Sequence, residues 1–316
     1  MRRISFILIL CIIALMASAQ NTKFGKPSQQ DWDMQAWGEA PDAEAVILCK
    51  TLEVNYNLQG AFSQYDSSNP DLSADNVSTA GVNNAVSSKL TTLTYKVKMR
   101  VKILKDSGKN WANIDIVYYD DEKDFNSRDE LNDLSVTLFR NENGKVKKTK
   151  YGKQSYSDER LTDKYMVRHI RLSDVEAGNI IEYQYELHSS RPFFLYDWYV
   201  QDDIPTMYTS CVMNIPYYIN FNMEVPTIAN VKSDVKASSI LIQQQLSDLQ
   251  APKNCKSNLY TITSRDLVPW RQMAIKDQKI ADLVNGPFNV HAVIKNKIAT
   301  APDPMPEGKR HIMLNP

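Results

Sequence analysis

Every second residue between positions 93 and 103 is apolar. Leu93, Tyr95, Val97, Met99, Val101 and Ile103 alternate with Thr94, Lys96, Lys98, Arg100 and Lys102. Period two over this length predicts a strand with one buried face and one wet face. A wet face points to an antiparallel sheet, because parallel strands are usually covered on both sides. Asp106-Ser107-Gly108-Lys109 then supplies turn chemistry, and Ile114, Ile116 and Tyr118 resume the alternation. The two runs therefore read as a hairpin.

The same pattern recurs further along. Leu134, Val136 and Leu138 alternate ahead of Asn141-Glu142-Asn143-Gly144, with Lys145-Val146-Lys147 following. Asn-Gly between strand-like runs predicts a hairpin, since both residues accept positive φ. More strands are expected at 165–172, 180–187, 193–200, 211–215, 217–225 and 260–263. Within 180–187, Ile181, Tyr183, Tyr185 and Leu187 point one way, and Glu182, Gln184 and Glu186 the other. Helix is scarce, with candidates only at 239–249 and 277–284. Many short strands separated by turns predict a mainly β protein, an antiparallel β-sandwich with few short helices.

The first residues give an address. Arg2 and Arg3 precede an apolar run at 4–16, broken only by Ser5 and followed by Ala17-Ser18-Ala19 and Gln20. This is the form of a secretory signal peptide over 1–19. The run is too short to span a bilayer, and no later stretch is apolar enough to do so. Cys11 lies inside the apolar run without a small residue before it, so it does not read as a lipid-attachment site. The expectation is an exported chain, in the periplasm or at the cell surface, with no integral membrane segment. Residues 20–270 form the expected β-sandwich domain. Within it, 63–89 is rich in Ser, Asn, Asp and Ala and reads as a flexible loop. Residues 271–316, with Pro302, Pro304 and Pro306, read as an extension or the start of a further domain. The 37 basic and 37 acidic residues give no electrostatic reason to expect nucleic acid as a partner.

Candidate chemistry is thin. Cys49, Cys211 and Cys255 follow the leader, an odd number without a C-x-x-C pair. Cys49 and Cys211 adjoin apolar runs and are expected as small buried hydrophobes. His169, His188, His291 and His311 do not pair with one another or with cysteine at ligand spacing, so no metal and no cofactor is expected. Cys255, His291 and Asp303 fall in the order of a transglutaminase-like triad. That chemistry needs a thiol at a helix N-terminus, whereas the residues after Cys255 read as a strand. Asp120, Asp121, Glu122 and Asp124 surround Lys123 without calcium-loop spacing and read as a solvated turn. Asp202-Asp203 is a second carboxylate pair. The aromatics Phe193, Phe194, Tyr196, Trp198 and Tyr199, with Tyr217, Tyr218 and Phe221, are expected in the core. Exposed together on one face, they would instead form a sugar-binding shelf.

Six segments read together carry a family resemblance. They are Phe24-Gly25-Lys26-Pro27-Ser28, Asp42-Ala43-Glu44-Ala45-Val46-Ile47-Leu48, and Arg100-Val101-Lys102-Ile103-Leu104-Lys105 with Gly108. Gly178-Asn179-Ile180-Ile181-Glu182-Tyr183, Trp198-Tyr199-Val200-Gln201-Asp202-Asp203-Ile204-Pro205 and Asn214-Ile215-Pro216 complete them. Over roughly 24–225 the chain resembles the domain of unknown function 3857, found at the N-terminal end of exported bacterial proteins, usually ahead of a transglutaminase-like domain. The resemblance implies a mainly antiparallel β-sandwich with a non-catalytic role beside a cysteine-dependent partner domain. It carries over no catalytic residue. Gly178 suits a turn needing positive φ, Pro205 and Pro216 suit strand ends, and Glu182 is expected to be paired on the polar face of its strand. The stretch after Trp270 is short for a transglutaminase-like domain, and the loop at 63–89 is long. The expected function is an accessory module that binds an envelope protein or a peptide. One alternative is a truncated or atypical transglutaminase-like protease or amidase using Cys255, His291 and Asp303. The other is a carbohydrate-binding module that takes a glycan on Trp198 and its aromatic neighbours.

Overall fold

The computed structural model describes residues 23–59, 91–124, 127–192, 194–216, 219, 221–224, 231–243, 254–269 and 289–294. The predicted leader at 1–19, the loop at 63–89, the helix at 277–284 and the proline-rich tail lie outside the described residues. So do Phe193, Tyr217, Tyr218, Asp303 and His311.

The chain is mainly β. A short helix, α1 (Gln29–Asp33), comes first. Its N-terminus is closed by a capping box in which Ser28 and Asp31 satisfy each other's backbone N–H, donors that the first helical turn leaves open. Strands β1 (Ala45–Gln59), β2 (Thr91–Ile103), β8 (Ile180–Ser189), β4 (Asp129–Glu142) and β5 (Lys145–Tyr151) then lie side by side, antiparallel throughout. On the other edge of β1, β10 (Thr206–Pro216) pairs in parallel, and β13 (Asn254–Leu267) and β12 (Val231–Gln243) extend the sheet antiparallel. The last two residues of β12 return to β1 at Leu58 and Gln59. A second sheet holds β3 (Asn113–Tyr119), β7 (Tyr165–Arg171) and β6 (Tyr156–Thr162), and a third holds β11 (Phe221–Glu224), β14 (Asn289–Ile294) and β9 (Trp198–Tyr199).

The main core lies between the large sheet and the second one. Val97 and Met99 of β2 and Tyr183 and Tyr185 of β8 share it with Ile114 and Ile116 of β3 and Ile170 of β7. This is the alternation of the 93–103 run, with its apolar set turned inward. A smaller core forms on the opposite face of the large sheet, where Trp32 of α1 covers Val46, Leu48, Phe139 and Ile180.

Four sequence expectations are corrected here. The runs at 93–103 and 114–118 are not a hairpin: β2 pairs with β1 and β8, and β3 pairs with β7 in the facing sheet. The connection is a 3-10 turn, Asp106–Ala112, whose Trp111 is buried and donates its indole N–H to Glu44 at 3.1 Å. Gly108 makes this crossing possible, because a Cβ there would sit 2.3 Å from the Glu44 carbonyl oxygen. Second, residues 239–243 of the predicted helix are the end of β12, where Ile240 is buried opposite Cys255 and Leu241 is exposed. Third, among the described residues of 193–200 only Trp198 and Tyr199 are strand. The hydroxyls of Tyr56 and Tyr95 hold the segment before them by donating to the Pro192 and Phe194 carbonyls. Fourth, the face of β2 expected to be wet is only partly so, since Arg100 and Lys102 are buried. The predicted hairpin at Asn143-Gly144 is present, with both residues at positive φ (53° and 81°). Gly178 also has positive φ, Pro205 immediately precedes β10, and Pro216 is its last residue.

Candidate functional site

The buried cations of the large sheet organise two polar centres on its two faces. On the outer face, residues 23–34 fold across β2 and β8. The Arg100 guanidinium donates from Nε to Glu182 Oε1 at 2.7 Å, from Nη1 to Asp31 Oδ2 at 3.2 Å and from Nη2 to the Lys23 carbonyl at 2.7 Å. The other Glu182 oxygen accepts the Gly25 N–H at 2.6 Å. Lys102 donates to the Trp32 carbonyl at 3.1 Å. A planar fork with five donors suits this mixture of carboxylates and backbone carbonyl. Glu182 is thus paired on its strand's polar face, as expected, but beneath a covering segment.

The second centre lies on the core face. A bulge in β1 between Ile47 and Cys49 shifts the alternation by one residue. Lys50 therefore stands opposite Met99 and turns into the main core. Its Nζ lies 2.5 Å from Asp202 Oδ2, and the two side chains are 0% and 2% exposed. The Trp198 ring lies 4.9 Å from the same Nζ, and its indole N–H donates to Thr209 at 3.1 Å. Thr209 is the neighbour of Lys50 across β10, and Ser264 is the neighbour of Thr209 across β13. The buried hydroxyls of Ser264 and Thr206 have no hydrogen-bond partner among the described residues. Gln201 donates to the Val268 carbonyl at 2.9 Å. Residues 198–205 are thereby fastened over the start of β10.

A third buried centre fixes the segment before them. Arg191 stacks 3.6 Å above the Tyr119 ring and reaches Asp129 at 3.5 Å, and the Tyr196 hydroxyl also donates to Asp129. Burial, followed by the Asp129 charge, holds the Tyr196 hydroxyl well above the usual tyrosine range.

The sequence-derived candidates are dispersed. Cys255 stands at the start of β13, where its thiol donates to the Lys256 carbonyl at 3.3 Å. Burial pushes that thiol up to about 11, opposite to the shift an attacking thiolate needs. His291 lies on β14, in a different sheet, opposite Glu224, and Asp303 is outside the described residues. Cys49 and Cys211 are buried free thiols. His169 bridges Asp115 at 2.8 Å and Glu159 at 2.9 Å. No group of three metal-ligating side chains occurs among the described residues. Asp120 and Glu122 form a turn tied to Arg160 of β6. Of the aromatics, Trp198 is buried and Phe194, Tyr196 and Tyr199 are half-buried, so these four form no open shelf. An open cleft of about 540 Å³ lies beside Asp203, between Trp111, Pro205 and Pro269.

The sheet edges differ in their protection. Edge strand β5 carries Lys145, Lys147, Lys148 and Lys150, and β6 carries Asp158, Glu159 and Arg160. Charges of this kind discourage a further strand from pairing. Along 231–240, β12 pairs only with β13 among the described residues. Residues 232–237 are exposed, with Lys232, Asp234 and Lys236 among them. The exposed large hydrophobics among the described residues are Val235 and Leu241 of β12, at 51% and 58%, and Val146 of β5, at 46%.

Lys50, Arg100, Asp31, Asp129 and Arg191 were missed as site residues by sequence reasoning. Arg100 and Glu182 were visible as parts of family-like segments, but nothing near Lys50 marks it as buried.

No curated protein matches the chain. Among solved structures, it is similar to the crystal structure of a protease candidate from Parabacteroides distasonis, at 12% identity and a TM-score of 0.43. The similarity covers 71% of this chain and 36% of that one, so the chain spans about a third of that protein's length. Residues 91–269, which include β2, β8 and the 198–205 segment, match the Domain of Unknown Function DUF3857, and the chain belongs to that family.

Proposed function

We propose that the protein is a non-catalytic, exported binding module that takes an extended protein or peptide segment as an added strand along β12. The observation that carries this reading is the contrast among sheet edges. β5 sets one exposed hydrophobic, Val146, among four lysines of like sign, whereas β12, open along 231–240 among the described residues, exposes Val235 and Leu241 beside the mixed charges Lys232, Asp234 and Lys236. Strand addition draws affinity from main-chain hydrogen bonds and specificity from alternate side chains. In this reading the partner is an envelope protein or peptide of a transglutaminase-like system. Export rests on Arg2, Arg3, the apolar run at 4–16 and Ala17-Ser18-Ala19.

The experiment is site-specific photo-crosslinking in the native envelope, with the probe at Lys236 on β12 or at Lys150 on β5. One defined partner peptide at position 236, absent at position 150 and lost in Val235→Lys, is the expected result. Equal capture at both positions, or undiminished capture in Val235→Lys, would remove β12 as the docking edge. N-terminal sequencing of the secreted protein should begin at Gln20.

A further inference from the structure

We propose that Lys50 and Asp202 condense to an amide, an isopeptide cross-link joining β1 to the segment ahead of β10. The two reacting groups are already in contact, with Nζ 2.5 Å from Oδ2. Both are sealed from solvent, at 0% and 2% exposed, within a core that includes Met99, Tyr183 and Trp198. In such surroundings an ion pair is costly to desolvate, and the neutral amine and acid gain relative to the ions. Two groups held at contact also react as though at very high concentration. The long sequence separation of the pair is no obstacle, because the parallel β1–β10 ladder and the Ile47 N–H to Pro205 carbonyl bond of 2.9 Å fix both backbones.

The reaction balances without any co-reactant. The ammonium first transfers one proton to the carboxylate, leaving a neutral amine and a carboxylic acid. The Nζ lone pair then attacks Asp202 Cγ, forming the C–N bond. The Cγ–OH bond breaks, and the departing oxygen takes a second proton from the former ammonium and leaves as water. The third proton stays on the amide nitrogen. Thr209 stands opposite Lys50 on β10, and Ser264 stands opposite Thr209 on β13. Hydroxyls both donate and accept, so this row can relay the protons. The Ser264 hydroxyl, without a partner among the described residues, offers a hydrogen bond to the released water. Arg100, buried on the opposite face, is excluded from this chemistry because its guanidinium stays protonated.

The test is intact mass spectrometry of the purified, denatured chain, followed by proteolytic mapping. The expected wild-type mass is one water below that of its own sequence, with a branched peptide joining the Lys50 and Asp202 fragments. Lys50→Arg, which keeps the charge but not the amine, should show its full sequence mass. A folded wild-type protein at full mass, with Lys50 recovered in a linear peptide, would overturn the cross-link and leave an ordinary buried ion pair. The wild-type mass decides the matter even if the variant fails to fold.

Discussion

Arg100 and Lys50 stand on neighbouring strands of one sheet, both wholly buried, yet on opposite faces and in opposite kinds of surroundings. Arg100 is covered by chain that comes to it: Lys23, Gly25 and α1 supply a carbonyl, an N–H and the Asp31 carboxylate around the Arg100–Glu182 pair. Lys50 points the other way, into an apolar core, and meets Asp202 there. A guanidinium is planar and weakly hydrated, and can satisfy many acceptors at once. An ammonium is a compact, strongly hydrated charge. The outer centre therefore works as a clasp for the N-terminal segment, while the inner centre is a sealed and reactive pair. The two sites show that one sheet can bury like charges for different ends, according to what is brought over each face.

The largest effect is expected at the clasp. Arg100→Met strands Glu182 and Asp31 under the covering segment and should cost about 3–5 kcal/mol in urea unfolding. It should also open residues 23–34 to proteolysis, while leaving the core signal of Trp198 native. If that segment stays protected, the clasp is not what holds it.

Lys50→Met should cost about 3 kcal/mol, because Asp202 is left in the core without the lysine charge. Adding Asp202→Leu should recover the part of that loss due to the stranded carboxylate, since apolar residues of similar volume can replace a buried pair, but not the part due to the missing cross-link. The corresponding replacement at Arg100 and Glu182 should not recover, because those groups also bind backbone atoms of the covering segment. Equal recovery on both faces would erase the distinction.

Gly108→Ala probes the connection that sends β3 to the facing sheet. The clash with the Glu44 carbonyl should cost about 1–3 kcal/mol, read as a lowered unfolding midpoint with altered Trp111 fluorescence.

The thiols report on the two faces as pH rises. Burial raises Cys49 to about 11, with Arg100 beside it pulling the other way, and burial alone raises Cys211 to about 12. Their ordinary value is 9.0, so the unfolded chain releases these protons first. The buried thiols thus contribute stability below pH 9 that is lost progressively toward pH 11–12. Urea midpoints should fall across that range. Alkylation of the native protein should be slow at neutral pH for all three cysteines, Cys255 included. Fast labelling of Cys255 at neutral pH, abolished by His291→Ala, would instead reveal an activated thiolate and support a cysteine enzyme. The smallest effect on stability belongs to Val235→Lys, within about 0.5 kcal/mol as for other exposed sites, together with loss of the β12 partner.

Much of the architecture was legible in local patterns. The 93–103 alternation, Asn143-Gly144, the run after Gly178 and the strand around Cys255 all appear as expected, because side-chain alternation and turn geometry depend on a few adjacent residues. Pairing was less legible. Gly108 looked like hairpin chemistry, but its role is to admit the Glu44 carbonyl from a distant part of the chain. The Asp202-Asp203 pair was visible as carboxylates, yet nothing local showed that Asp202 is buried against Lys50.

The sequence by itself determined the strand-rich character, which residues of β2 and β8 share a face, and the family. Only the tertiary structure decided which faces are covered. A one-residue bulge in β1 turns Lys50 inward, and residues 23–34 return to bury Arg100 and Lys102. Such outcomes depend on contacts between residues far apart in the chain, and no local period records them.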